Sequence, residues 1–82
     1  MRTIVVTGVT RGLGFAMVDG FIRAGHRVVG CGRSGGVIER LAGEYPGQHF
    51  RVVDVSDDAA VSNWAREVME RVGVPDLLVN NA

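Results

Sequence analysis

The chain has 82 residues, a formal net charge of zero, 46% hydrophobic residues and 22% charged residues. This apolar content excludes a disordered chain, and the balance of nine arginines against nine carboxylates excludes the basic field that gathers nucleic acid or an anionic membrane surface. The chain has one cysteine and no apolar stretch near the ~20 residues of a membrane span. We therefore expect a soluble, cytoplasmic chain of at most one domain.

Four short apolar runs predict β-strands at residues 3–7, 27–31, 50–53 and 77–79. None of them shows clean alternation of apolar and polar residues across its core. This pattern favours strands that are buried on both faces of a parallel sheet over half-exposed antiparallel strands.

Helical periodicity marks the segment after the first predicted strand. Leu13, Met17 and Phe21 recur every four residues and predict the face that packs on the sheet. Gly25 follows as the predicted end of this helix, because glycine tolerates the left-handed conformation that often terminates helices.

Two further helices are predicted between the later strands. The second has a weaker apolar stripe at Ile38, Leu41 and Ala42. The third has Ser56 as its predicted N-cap. Its apolar face consists of Val61, Trp64, Ala65, Val68 and Val72.

Strands and helices therefore alternate strictly along the whole chain. This alternation predicts βαβ units with right-handed crossovers and one parallel sheet. We predict an α/β fold with a Rossmann-like doubly wound sheet of four strands, in the order 3-2-1-4, and three helices. In that order the first two helices cover one face of the sheet and the third crosses the other face.

A glycine-rich turn joins the first predicted strand to the first helix. Residues 7–14 read Thr-Gly-Val-Thr-Arg-Gly-Leu-Gly. Glycines let the backbone turn sharply and approach a pyrophosphate, which then meets the N–H groups and the positive dipole end of the helix. The alternative is a glycine-lined turn that binds no ligand.

The spacing T-G-x-x-x-G-x-G in this turn resembles the compact subclass of the short-chain dehydrogenase/reductase family. The resemblance implies an enzyme that transfers a hydride reversibly between a nicotinamide cofactor and a small alcohol or carbonyl substrate. It also implies that the cofactor pyrophosphate lies against this turn, at Gly8, Thr10, Arg11, Gly12, Leu13 and Gly14.

A second glycine motif offers an alternative position for the phosphates. Residues 30–35 match G-x-G-x-x-G after the second predicted strand, and Asp54 follows about 20 residues later, as the dinucleotide fingerprint requires. In that alternative the second predicted strand is the first strand of the nucleotide-binding fold, and the first predicted strand is an extra strand added to it. The first glycine turn is then left without a role.

Basic residues without a competing carboxylate follow the second predicted strand. In dinucleotide folds a carboxylate at this place binds the ribose 2′-hydroxyl, whereas an arginine accommodates a 2′-phosphate. Here Arg33 and Ser34 follow the strand, no carboxylate occurs before Glu39, and Arg11 adds a second cation at the same sheet edge. We therefore predict NADP(H) as the cofactor, with two solvated arginines as the alternative. The family also carries basic residues at these two places in its NADP-preferring members.

Two later motifs extend the resemblance along the chain. Asp54 and Val55 end the third strand, where the matching residues of the family contact the adenine; the alternative for Asp54 is a helix-capping role. Asn80, Asn81 and Ala82 resemble the start of the family's Asn-Asn-Ala-Gly motif. In the family, the first asparagine of this motif stabilises the sheet, and the backbone of the motif lies next to the adenine ribose.

The catalytic residues of the family have no counterpart in this sequence. The resemblance implies a tyrosine as general acid/base, a lysine that lowers its pKa and a serine that positions the substrate oxygen. The chain has no lysine, and so Tyr45 cannot belong to the family's Tyr-x-x-x-Lys pair. No histidines and cysteines have metal-ligand spacing either. We expect an inactive N-terminal, cofactor-binding portion of a single Rossmann domain over residues 1–82.

The predicted topology also favours association with another chain. Leu77, Leu78 and Val79 lie on a predicted sheet edge with a bare apolar face, and such edges promote association. We expect a homo-oligomer or a complex with a complementing chain. An alternative function is a non-catalytic nucleotide-binding or interaction module that assembles with another chain.

Overall fold

The computed structural model of the chain describes residues 1–10 and 12–81. Its elements alternate between strand and helix as predicted. In chain order they are β1 (Thr3–Thr7), α1 (Gly12–Arg23), β2 (Arg27–Gly32), α2 (Gly35–Glu44), β3 (His49–Val52), α3 (Asp58–Arg71) and β4 (Leu77–Val79).

All strand pairs are parallel, and the sheet has the order β3-β2-β1-β4. In the centre Val5 of β1 lies between Val29 of β2 and Leu78 of β4. The direction of winding reverses at β1, because β2 and β3 lie on one side of it and β4 on the other. The predicted α/β class and strand order are confirmed, and the carboxyl end of β1 is the switch point where such sheets bind ligands.

The alternative phosphate turn at residues 30–35 is wrong. Gly30 and Gly32 are strand residues of β2, and the winding reverses at β1 and not at β2. A Cβ atom at Gly30 would lie 2.9 Å from Cγ1 of Val9 and 3.0 Å from Cδ1 of Phe50. These two glycines therefore let side chains of neighbouring elements pack closely against β2, and they do not form a turn around a ligand.

Helices α1 and α2 cover one face of the sheet and bury a continuous apolar cluster. Its members are Ile4, Val6, Val9, Val18, Val28, Ile38, Leu41 and Phe50, with Met17 and Phe21 packed against them. Leu13, which was expected in this cluster, is instead 67% exposed, and Ala42 is exposed as well. The reason for Leu13 is that α1 turns Gly14 and Val18 toward the sheet, which leaves Leu13 outside at the start of the helix.

Helix α3 covers the other face alone. The buried cluster there consists of Val5, Val29, Cys31, Val53, Trp64 and Val68. The N-cap is Asp57, whose side chain accepts a hydrogen bond from the Ala60 N–H, and not Ser56 as predicted. Ser56 lies one residue before this cap, and its own N–H and hydroxyl donate to Asp54 instead.

An apolar groove of about 400 Å³ remains between α3 and β4. We call it the apolar groove; its walls include Val5, Val61, Trp64, Val68, Met69, Pro75 and Leu78. Leu78 is 62% exposed and Met69 is 51% exposed. Burial in this part of the sheet is thus less complete than under α1 and α2. Within residues 1–10 and 12–81, no helix combines the length and apolar character needed to cross a membrane.

Candidate functional site

The turn between β1 and α1 depends on three glycines for different reasons. Gly8 and Gly12 have φ angles of 67° and 62°, a region that side chains rarely adopt. Gly14 has an ordinary φ, but a Cβ atom there would overlap the carbonyl oxygen of Gly8 and lie 2.6 Å from Nδ2 of Asn81. The backbone of α1 therefore packs directly on the turn, and the start of the helix faces the carboxyl edge of the sheet.

The turn is also held to the neighbouring strand. Val9 is fully buried, and its N–H donates to the carbonyl oxygen of Cys31 in β2 at 3.1 Å. Leu13 stands exposed in the first turn of α1. N–H groups in the first turn of a helix lack intrahelical acceptors and, with the helix dipole, attract anions. This arrangement can hold a phosphate group.

Two polar residues follow β2 at the same edge. Arg33 is exposed, and its side chain has no hydrogen bond or ion pair within residues 1–10 and 12–81. Ser34 is the N-cap of α2, because its hydroxyl oxygen accepts from the Val37 N–H at 3.4 Å. The hydroxyl proton of Ser34 and the guanidinium of Arg33 both remain able to donate to an anion.

A rigid turn follows β3. Oδ1 of Asp54 accepts hydrogen bonds from the Ser56 N–H at 2.9 Å and the Ser56 hydroxyl at 2.7 Å. These bonds, and more weakly the positive charge of Arg33, lower the pKa of Asp54 below its ordinary value. Val55 lies between them in sequence and is 40% exposed despite its apolar side chain. The carboxylate is therefore fixed in place and charged at neutral pH, and its Oδ2 accepts no hydrogen bond from residues 1–10 and 12–81.

The chain after β4 is bonded to the glycine turn. The Thr7 hydroxyl donates to Oδ1 of Asn80 at 3.0 Å and accepts from the Asn81 N–H at 2.9 Å. Nδ2 of Asn81 donates to the carbonyl oxygen of Gly8 at 3.3 Å. Asn80 thus links β4 to β1, and Asn81 supports the backbone of the turn.

These segments enclose a groove of about 990 Å³ along the carboxyl edge of the sheet. We call it the carboxyl-end groove. Its walls are Gly8, Thr10, Gly12, Gly32, Arg33, Ser34, Val37, Val53, Asp54, Val55, Ser56 and Asn81.

Eight residues predicted for the site line this groove: Gly8, Thr10, Gly12, Arg33, Ser34, Asp54, Val55 and Asn81. Leu13 and Gly14 lie beside it in the first turn of α1. Arg11 and Ala82, also predicted, lie outside the described residues.

Four lining residues were not predicted from the sequence. They are Gly32, Val37, Val53 and Ser56. Gly32 and Val53 directly precede the predicted site residues Arg33 and Asp54, and this position next to them in the sequence could have indicated that they line the site. Nothing in the sequence singled out Val37, which lies in the first turn of α2.

Catalytic side chains of the expected kind do not line the groove. The Tyr45 hydroxyl donates to Oδ1 of Asp19 at 2.9 Å, in a contact between the end of α2 and the middle of α1. The Asp19 carboxylate raises the pKa of this tyrosine, which opposes a role as general base. In the part of the chain that the structure describes, no three His, Cys, Asp or Glu side chains could hold a metal ion.

Comparisons with known proteins agree with this geometry. A family model described as short chain dehydrogenase matches residues 2–82. An NADPH-dependent pterin aldehyde reductase from Arabidopsis thaliana is 37% identical over 99% of the chain, which covers 35% of that relative. The chain thus spans about a third of the length of this curated relative.

Two solved structures show the same arrangement of elements. A short-chain dehydrogenase from Streptomyces avermitilis has a TM-score of 0.92 and 32% identity, with 100% of this chain and 31% of that chain covered. An alcohol dehydrogenase from the archaeon Thermococcus sibiricus, complexed with 5-hydroxy-NADP, has a TM-score of 0.85 and 30% identity, with 95% and 35% covered.

Proposed function

The chain belongs to the short-chain dehydrogenase/reductase family, and on that premise we propose that it is the cofactor-binding part of an NADP(H)-dependent oxidoreductase. Such an enzyme transfers a hydride between the nicotinamide and a small alcohol or carbonyl substrate. The observation that carries the proposal is the guanidinium of Arg33 in the carboxyl-end groove, which has no hydrogen bond or ion pair within residues 1–10 and 12–81 and follows β2 in a segment without a carboxylate before Glu39.

The pyrophosphate is proposed to lie on the glycine turn. There the positive φ angles of Gly8 and Gly12 bring backbone close to the groove, and α1 presents its first turn to the anion. A Cβ atom at Gly14 would fill space that the backbone of the turn itself occupies. We propose that the exposed side chain of Leu13 contacts the cofactor beyond the pyrophosphate. Such a contact removes apolar surface of Leu13 from water, which is favourable.

The 2′-phosphate is proposed to lie between Arg33 and Ser34. A guanidinium forms charge-assisted bonds with phosphate oxygens, and the Ser34 hydroxyl can add a neutral one. Within the part of the chain that the structure describes, Arg33 forms no ion pair with a carboxylate, and so none of these contacts has to break when it binds the phosphate. Arg11 is proposed as the second cation for the same group, on the basis of the sequence motif.

The adenosine is proposed to fill the rest of the groove. Oδ2 of Asp54 can accept a hydrogen bond from the adenine amino group while Oδ1 stays bonded to Ser56. The half-exposed Val55 offers an apolar surface to the adenine ring. The backbone at Asn81 and, on the basis of the sequence motif, at Ala82 is proposed to lie next to the adenine ribose.

Hydride transfer itself is proposed to require residues that this chain does not contain. The sequence has no lysine, so the Tyr-x-x-x-Lys pair of the family is missing. We therefore expect the 82-residue chain to bind the dinucleotide without reducing a carbonyl compound. Cys31 is buried and unpaired, which is consistent with the reducing cytoplasm that we propose as its location.

The exposed apolar groove supports a second candidate function. A side chain such as Leu78, 62% exposed and beside further apolar residues, is typical of a surface that another polypeptide covers. A non-catalytic nucleotide-binding module that assembles with a complementing chain or with a second copy of itself would have this property. The two functions share the cofactor site and differ in whether the assembly reduces a carbonyl compound.

Fluorescence titration of the chain with NADPH and NADH tests the cofactor assignment. We expect tighter binding of NADPH, and we expect Arg33→Ala to weaken NADPH binding by roughly 10- to 100-fold, the value of hydrogen bonds to a charged group. NADH binding should be unchanged. Arg40→Ala, an exposed arginine of α2 outside the groove, is the matched control. Equal losses for both nucleotides, or a similar loss in Arg40→Ala, would contradict the assignment.

A further inference from the structure

Strand β3 forms one edge of the sheet, because it pairs only with β2 in the part of the chain that the structure describes. The Val53 N–H, directly after β3, donates to the carbonyl oxygen of Gly32 in β2 at 3.0 Å. Backbone groups of successive strand residues point alternately to the two sides of the strand, so those of Phe50 and Val52 point away from β2. An edge with such outward-facing groups is a template for pairing with the strand of another chain.

The sequence of this edge also favours pairing with another strand. Residues 48–53 read Gln-His-Phe-Arg-Val-Val and contain no proline. Short segments with high β-propensity, little charge and no proline are those that readily add to other strands. Arg51 is the only charged residue between Glu44 and Asp54 if His49 is neutral, and the neighbouring Val52 is 57% exposed. The charge of this segment therefore depends on Arg51, in the middle of the edge.

The side chain of Arg51 occupies the open edge itself. Its Nη1 donates to the carbonyl oxygen of Phe50 at 3.2 Å, which is one of the outward-facing acceptors that an added strand would need. Its Nε donates to Oε2 of Glu67 in α3 at 2.9 Å, and its Nη2 donates to Oε1 at 3.2 Å. The guanidinium is thus held between the helix and the strand edge, and another strand would have to displace this charged group in order to pair.

The exposure of this ion pair argues against a mainly stabilising role. The side chains of Arg51 and Glu67 are 48% and 33% exposed, and ion pairs at such a surface contribute little to the stability of a fold. We propose that Arg51, held by Glu67, prevents a strand of a second copy of the chain from adding to β3. With β3 closed, any association through the apolar groove at the β4 side ends at a closed dimer and does not continue as an open filament. This role goes beyond the proposed NADP(H) function and does not depend on it.

Sedimentation velocity over a range of concentrations tests the protection of this edge. Arg51→Ala should form oligomers with roughly twice the weight-average mass of Arg71→Ala or more, because both sides of the sheet can then associate. Arg71→Ala is the matched control: it removes the same charge from a side chain whose Nε lies 3.8 Å from Oε1 of Glu67, but which donates no hydrogen bond to β3 within the described residues. Equal masses of the two variants would overturn the proposal.

Hydrogen exchange measured by mass spectrometry locates the new contact. In the Arg51→Ala oligomer the amide protons of residues 48–54 should exchange roughly tenfold more slowly than in Arg71→Ala, since strand pairing protects the N–H groups of Phe50 and Val52. Oligomers without this protection would overturn the proposal, because they would have formed through another surface.

Melting temperatures separate edge pairing from unfolding. Arg51→Ala and Arg71→Ala should both melt within about 4 °C of the parent chain, because exposed ion pairs add little stability. Arg51→Thr is the second variant, since threonine has a higher β-propensity than alanine and favours a folded β3. It should associate in the same way as Arg51→Ala. Association that a folded Arg51→Thr does not reproduce would overturn the proposal, because it would then arise from unfolded chain.

Discussion

The carboxyl-end groove and the apolar groove share one side chain, Val55, and differ in almost every other respect. The first is built from glycines and from polar groups that are already bonded, such as Asp54 to Ser56 and Asn81 to Gly8. The second is lined mainly by apolar side chains, like the core beneath it, and Leu78 remains mostly exposed.

This difference shows what each groove can bind. In the carboxyl-end groove the backbone is fixed and charges are held in place, which suits a polar ligand such as a dinucleotide. The apolar groove offers mainly apolar surface, and Thr7 and Asn80 are the polar residues among those that line it. Such a surface suits the apolar side of another polypeptide. Substitutions in the first groove should therefore act through geometry, and those in the second through exposed apolar area.

The largest effect is expected for Gly14→Ala. The added Cβ atom overlaps the carbonyl oxygen of Gly8, so the helix must move away from the turn. We expect a loss of about 3 kcal/mol in the free energy of unfolding, close to the roughly 3–5 kcal/mol available to a domain of this size. Urea denaturation measures this loss. Gly20→Ala in the same helix, where a Cβ atom meets nothing within 4 Å, should be neutral or stabilising. Equal stability of the two variants would contradict the close packing of α1 on the turn.

A smaller loss is expected for Thr7→Val, which is similar in shape but lacks the hydroxyl. The hydrogen bonds to Asn80 and Asn81 are lost, and the Asn81 N–H is left without its acceptor. We expect a loss of about 2 kcal/mol in the free energy of unfolding, together with weaker dinucleotide binding. Thr3→Val, at the other end of β1, is the matched control and should change stability by less than about 0.5 kcal/mol. Similar losses in both variants would show that the link between β4 and the turn is unimportant.

For the apolar groove the expected effect concerns association more than stability. We propose that the isolated chain self-associates through this groove and that Leu78→Glu shifts it toward the monomer, as measured by sedimentation velocity over a range of concentrations. Leu13→Glu is the comparison, because Leu13 is equally exposed but lies beside the other groove. A parent chain that is monomeric at every concentration, or an equal shift in both variants, would contradict the assignment of the apolar groove as the interface.

The smallest effect concerns the charge of Asp54. Its pKa is lowered chiefly by the hydrogen bonds from Ser56, so Ser56→Ala should raise it toward the ordinary value, as measured by NMR titration. Because the folded-state pKa lies below the unfolded one, this stabilising contribution is present above the unfolded pKa and is lost as the pH falls through the folded-state pKa. Ser62→Ala, an exposed serine of α3, should leave the titration of Asp54 unchanged. An unchanged pKa in Ser56→Ala would contradict the assigned cause.

Much of the fold could be predicted because its signals are local. Runs of valine, isoleucine and leucine marked all four strands, and strict alternation with helices led to the parallel sheet and its order. The carboxyl-end groove followed from the same reasoning, since the ends of parallel strands meet at one edge. Together with the family resemblance, which supplied the role of Asp54, this is how Gly8, Arg33 and Asp54 could be assigned to one site although they lie far apart in sequence.

The remaining features depend on contacts that sequence spacing does not contain. Leu13 fits the apolar stripe of its helix, but the rotation of α1 on the sheet turns Gly14 inward instead. Ser56 and Asp57 are both good N-cap residue types, and only the structure shows that α3 begins at Asp58 with Asp57 as its cap while Ser56 bonds to Asp54. The close contact of Gly32 with Thr10, a residue of another loop, appears only once the fold is known.

The most direct test of the central claim is calorimetric titration of the chain with adenosine 2′,5′-bisphosphate and with adenosine 5′-monophosphate at low salt. The account predicts that the 2′-phosphate improves affinity at least tenfold, and that this gain shrinks in Arg33→Ala and at high ionic strength. NMR shifts on binding should centre on Gly12, Ser34 and Val55. Equal affinities for the two nucleotides, or shifts centred on Trp64 and Leu78 in the apolar groove, would contradict it.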